Sequence, residues 1–171
     1  MTELKIEKKI RVLELLRNLT YGINEISWQE AYFPHLISIL TRWVIQSDAE
    51  IVIALSLEVL VNYCYKNLSA VYTLRQTVNV KELIKMLLKL QYHHYVDINT
   101  GVQCFKLLII LEPTNTNISE KSIMYFASLT FVHLRTVMRK KDVLLLRHDV
   151  DFFNDVGQSE HSRNVLLTYS R

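Results

Sequence analysis

The groups that could do chemistry in this chain are scattered rather than assembled. His93 and His94 form the one histidine pair, and adjacent side chains point apart in most backbone conformations. No cysteine or carboxylate cluster accompanies them, so no metal site is expected. Glu25, Glu30, Glu58 and Glu112 stand alone, without the second carboxylate that acid/base chemistry needs. Cys64 lies among apolar neighbours, where burial raises a thiol pKa and makes the residue an inert filler of core space. Three glycines in 171 residues cannot build a phosphate-cradling loop. These patterns predict a chain that is not an enzyme and uses no cofactor.

A different set of polar residues does repeat. Glu14, Asn18 and Tyr21 recur 44 positions later as Glu58, Asn62 and Tyr65, and the apolar frame recurs with them, Leu13 as Leu57 and Leu16 as Leu60. In a helix the i, i+4, i+7 spacing puts such a set on one face. An asparagine amide donates and accepts, so a ladder of them can hold the backbone of an extended peptide without dictating its side chains. A second reading stands beside that one: each asparagine bonds the terminal carbonyl of a neighbouring helix. The two tyrosines fit a binding face or a half-buried edge equally. At an offset of 48 the apolar frame continues, Leu57 to Phe105 and Leu60 to Leu108. The polar set does not, because Lys106, Ile110 and Pro113 take its places.

The elements that position these residues are helices. Glycine and proline together number five, where average usage gives roughly 20, and sheets need turn residues at every hairpin. Apolar periodicity predicts a first helix over residues 3–20, ended at Gly22. A second spans 28–46, with Pro34 setting its first turn apart so that the regular part begins near Phe33. Ser47 and Asp48 cap a third over 49–66. Asn67-Leu68-Ser69 closes that helix and caps a short one over 70–76, with Ser69 where an N-cap belongs, and Asn79 caps the next over 80–91. Asp97 or Asn99 starts another that Pro113 stops. Ser119 and Glu120 open a long helix to 139, Asp142 opens one that Gly157 ends after Val156, and Ser159 opens a terminal one. Tyr63 and Tyr72 are expected to pack between helices.

A period of about 40–47 residues holding two or three helices is the armadillo/HEAT signature, and a short helix between longer ones favours armadillo. The expected fold is all-α, a right-handed superhelix of about four repeats in a single domain over 1–171. In such stacks the long helices line a concave groove, here the face of Glu14, Asn18, Tyr21, Glu58, Asn62 and Tyr65. Apolar runs such as 107–111 are far shorter than the roughly 20 residues that span a bilayer. The opening residues alternate charge with apolar groups at helical spacing, unlike a signal peptide. Two cysteines suit a reducing compartment, which together give an intracellular expectation, cytoplasmic or nuclear. The net charge of +3 is small and its densest cluster is Arg139-Lys140-Lys141, too little for a phosphate-tracking stripe. A HEAT-like nucleic-acid module is the alternative reading, and an oligomerising subunit another. Val165, Leu166 and Leu167 in the terminal helix would supply the apolar end for association.

The chain from about Ile10 to Tyr169, with gaps, resembles the N-terminal armadillo domain of the family of the cancerous inhibitor of protein phosphatase 2A, most clearly in its central stretch. The resemblance rests on Leu16 and Leu19-Thr20-Tyr21, on Leu60, Asn62 and Cys64, and on Asn67-Leu68-Ser69 followed by Asn79-Val80-Lys81. Weaker agreement continues through 102–111 and around Asp149-Val150-Asp151. It implies a non-catalytic scaffold, an adaptor or inhibitor. By the same resemblance the partners are a phosphatase 2A regulatory subunit or a BRCT-repeat DNA-damage scaffold. Family members carry a longer array and a coiled-coil tail and dimerise beyond this region; no heptad segment occurs in this sequence.

Overall fold

The computed structural model describes residues 2–21, 29–91, 97–111 and 120–158, with short helical pieces at 163–164 and 167–168. Among these residues there are eight helices and no strands: α1 (Thr2–Thr20), α2 (Gln29–Gln46), α3 (Glu50–Cys64), α4 (Leu68–Thr77), α5 (Val80–Gln91), α6 (Ile98–Leu111), α7 (Glu120–Lys140) and α8 (Val143–Gln158). They fall into two compact units, Met1–Leu111 and Glu112–Arg171.

In the first unit α3 is the middle of a row. It packs against α1 and against α6, while α2 lies on α3 and also meets α4 and α5, and α5 packs on α6. The helices that the 44- and 48-residue offsets align are thus the three that stand side by side. The middle position shows in composition: ten of the fifteen residues of α3 are buried, Leu57, Val59, Leu60 and Val61 among them. A helix apolar nearly all round needs neighbours nearly all round. From α1 comes Leu13, from α2 Ile37, Leu40 and Val44, from α5 Leu83 and Leu87, from α6 Cys104 and Leu107, all in one core.

Local chemistry sets the ends of the helices. Asn67 Oδ1 accepts from Ala70 N at 3.1 Å and caps α4, so the cap is Asn67 and Ser69 lies inside the helix. Asn79 Oδ1 accepts from Glu82 N at 3.3 Å, and Asp97 Oδ2 from Asn99 N at 3.2 Å. Helix α3 begins later than expected: Ala49 is its N-cap and makes no side-chain bond, while Ser47 Oγ accepts from Ala49 N at 3.2 Å. Pro34 sits within a continuous α2 rather than dividing it; near the start of a helix its missing N–H removes only one backbone bond. The α6 carboxyl end is capped from outside, by the Arg75 guanidinium donating to the Leu111 carbonyl oxygen. Tyr63 is buried, but Tyr72 is 65% exposed and packs between no helices.

The second unit pairs α7 with α8. Between them Lys141 has φ of 56°, Lys141 N donates to Met138 O at 3.2 Å and Asp142 N to Val137 O at 3.3 Å. That is a Schellman turn with lysine at the position glycine usually holds. Asp142 then caps α8, its Oδ1 accepting from Leu145 N at 3.1 Å. The buried stripe of α8 is Leu145, Asp149, Phe152 and Val156. Its one carboxylate meets a buried histidine on α7, with His133 Nε2 3.0 Å from Asp149 Oδ2. Phe131 and Phe153 meet edge to face at 5.9 Å. Helix α8 runs on to Gln158, so Gly157 lies inside it and does not stop it. Gly22, His93, His94, Glu25, Glu112 and Ser119 lie outside the described residues, as does most of the terminal helix.

Candidate interaction surface

The repeated polar residues sit where α1 and α3 meet, yet equivalent members have different surroundings. Glu14 and Asn18 on α1 are exposed and Tyr21 is half-buried. On α3, Glu58 is buried, while Asn62 and Tyr65 are half-buried. The cause is position in the row. Among the described residues α1 has a packed neighbour on its α3 side and stands at the end of the row, whereas α3 is covered from both sides.

Glu58 is the centre of a polar seam. Arg17 Nη1 on α1 lies 3.6 Å from Glu58 Oε2, with the arginine side chain 23% and the glutamate side chain 3% exposed. From the opposite flank Asn99 Nδ2 on α6 donates to Glu58 Oε1 at 2.5 Å, and Gln103 Nε2 donates to Asn99 Oδ1 at 3.1 Å. A carboxylate this deep is tolerated only with such partners, since desolvation of an uncompensated charge costs several kcal/mol, on the order of 5. Lys106, one turn beyond Gln103 and aligned with Glu58 by the 48-residue offset, is also buried.

Asn62 closes the seam one turn further on. Its Nδ2 donates to Thr20 Oγ1 at 3.1 Å and to the Arg17 carbonyl oxygen at 3.5 Å, while Thr20 Oγ1 donates to that same carbonyl at 3.0 Å. The bond to a neighbouring helix end, one of the two roles foreseen for this residue, is therefore made. Asn18 makes no bond to a neighbouring helix end among the described residues: the Arg17 Nε and Nη2 atoms each approach its Oδ1 at 3.4 Å. Beyond α3, Lys66 at φ 55° lays its ammonium over the Tyr65 ring at 5.2 Å.

Arg17, Thr20, Asn99 and Gln103 belong to this surface and were not singled out by the repeat. The available signal was Asn99 and Gln103 at i, i+4 in α6, a helix whose buried residues also include Thr100 and Lys106; polar groups on such a helix must find partners once buried. The cysteines behave as their surroundings dictate, burial pushing both the Cys64 and Cys104 thiols up to about 12. Among the described residues no three His, Cys, Asp or Glu side chains gather as a metal ion requires, and no helix is long and apolar enough to cross a membrane.

The family described as CIP2A, N-terminal, matches residues 5–121, more than half of the chain. The chain belongs to that family. The match takes in nearly all of α1 and the whole of α2 through α6, and so the entire row that carries the polar seam. Membership of the CIP2A N-terminal family points to a regulatory, scaffold type of role and away from catalysis. No curated protein and no solved structure matches the chain.

Proposed function

We infer that this chain is a non-catalytic protein-binding module, an armadillo-type stack whose α1–α3 face receives a partner segment. The observation that carries the reading is the row itself. Three helices related by the sequence repeat stand side by side within the region matched by the CIP2A N-terminal family. A stack of this kind buries its apolar faces between units and presents a long continuous surface to partners. On that surface Glu14 and Asn18 are exposed and Tyr21 and Tyr65 half-buried, a mixture of carboxylate, amide and aromatic edge suited to a polypeptide. Arg17 orients the Asn18 oxygen, which leaves the amide nitrogen as the donor for a ligand carbonyl. Glu58 and Asn62 serve the same face from beneath, fixing the spacing of α1, α3 and α6.

The proposed partners are a phosphatase 2A regulatory subunit or a BRCT-repeat scaffold. The test is direct binding of the full chain to each purified partner, with Glu14→Ala and Asn18→Ala as the variants. Both side chains are exposed, so each variant should keep its Tm while binding at least about fivefold more weakly, the loss of roughly 1 kcal/mol. Wild-type affinity in both variants rejects the strip, and failure of the unmodified chain to bind either protein rejects these partners.

A further inference from the structure

A concave site lies at the other end of α3, about 18 Å along the helix from Asn62 at 1.5 Å per residue. It is a pocket of about 350 Å³ between the carboxyl ends of α2 and α5 and the amino ends of α3 and α6. That volume falls within the range of about 300–1,000 Å³ typical of ligand sites. Val44, Ile53, Met86 and Leu90 supply an apolar lining, and Asp48, Glu50, Lys89 and Thr100 supply the polar groups.

Two features point to an occupant. Thr100 is 1% exposed, and its hydroxyl has no hydrogen-bond partner among the described residues. A hydroxyl buried in this way is costly unless a partner arrives, and Thr100 lines a pocket with room for such a partner. The second feature is charge. Two helix carboxyl ends and two amino ends meet here, so their opposed macrodipoles largely cancel and the side chains decide. Asp48 and Glu50 outnumber Lys89. Glu50 Oε1 accepts from Asp97 N at 2.6 Å, which brings a third acidic residue beside the pocket. The complement is a ligand with a cationic head, an apolar stem and a donor for the Thr100 oxygen.

We propose that this pocket takes a single lysine or arginine side chain from a partner polypeptide. The stem would lie on Ile53, Met86 and Leu90, with the head between Asp48 and Glu50. A guanidinium, with five donors, can reach both carboxylates and a hydroxyl together. The site uses none of the residues of the α1–α3 face and does not depend on the reading given for that face.

The test is an NMR titration of the full, isotope-labelled chain with four probes. The first is an acetylated, amidated pentapeptide with one arginine flanked by alanines. The others carry norleucine or glutamate in its place, and the last is free agmatine. The arginine peptide should give saturable shifts at Ile53, Lys89 and Thr100 with a Kd on the order of 1 mM. The norleucine and glutamate peptides should bind at least about tenfold more weakly, and agmatine more weakly than the arginine peptide. Thr100→Val removes only the hydroxyl, and Glu50→Gln keeps an oxygen for Asp97 N; each should weaken the arginine peptide about threefold or more while the dispersion of the spectrum is kept. Equal binding of the norleucine peptide, agmatine binding as tightly as the arginine peptide, or an absence of saturable shifts overturns the proposal.

Discussion

Asn62 on α3 is tied to Thr20 on α1, Nδ2 to Oγ1 at 3.1 Å, with the Arg17 carbonyl oxygen sharing the same donor. This clasp ties α3 to the last turn of α1, where the Arg17 carbonyl oxygen also accepts from Tyr21 N at 3.2 Å. Asn62→Ala removes the donor and Thr20→Val the hydroxyl. Each should destabilise the first unit by about 1 kcal/mol, lowering its Tm by roughly 4 °C. Because the two share one bond, the double variant should cost less than the sum. Strictly additive losses in denaturant unfolding would show that the clasp contributes nothing.

Glu58 has a heavier part in the same seam. Arg17 and Asn99 approach its two oxygens from different helices. Replacing Arg17 by methionine keeps much of the packing and removes the guanidinium, so the buried carboxylate loses a counter-charge. The expected loss is about 3 kcal/mol. Adding Glu58→Gln to that variant removes the charge left behind and should recover more than half of it. A double variant less stable than Arg17→Met alone would refute this account of Glu58.

The two buried thiols set a pH dependence at the alkaline end. Burial raises both Cys64 and Cys104 from 9.0 to about 12. Between those limits the unfolded chain has released protons that the folded chain still holds. Stability therefore falls as pH rises from about 9 toward 12, by at most about 1.4 kcal/mol per thiol for each pH unit. Tyr63, also raised by burial, acts in the same direction above its ordinary value of 10.0. Chemical denaturation across this range should show the decline, and a Cys64→Ala/Cys104→Ala variant should show a shallower one. Near neutral pH a thiol reagent should label neither cysteine until denaturant is added.

How far the sequence was legible depended on how local the cause was. Asn79 and Asp142 announce helix starts because a cap acts on the next three residues, and both do so here. The 44-residue echo of Leu13 in Leu57 carried through to the row because both residues face the same seam of the core. The likeness of Glu14 to Glu58 did not carry through. One is exposed and the other buried, and the difference comes from α6, which flanks α3 and not α1. A residue type repeats in sequence, but its neighbours come from whichever helix packs beside it. Asn67 taking the cap in place of Ser69 is the opposite case, since both could cap and only the chain's exit from α3 selects between them.

The turn between α7 and α8 and the end of α8 reverse the usual placement of glycine. Lys141 holds a left-handed backbone at φ 56°, which a side chain with a Cβ adopts at a cost of roughly 1 kcal/mol. Gly157 sits within helical α8, where a Cβ would meet nothing within 4 Å. Lys141→Gly relieves the backbone strain and should raise stability by about 0.5–1 kcal/mol. Gly157→Ala should add a few tenths of a kcal/mol up to about 1, the smaller figure reflecting its place in the last turn. The sites are well separated and share no contact, so the gains should add, together lifting the Tm of the second unit by roughly 4–15 °C. A lower midpoint for Lys141→Gly in a thermal melt would mean that the lysine side chain makes a contact worth more than the strain it imposes.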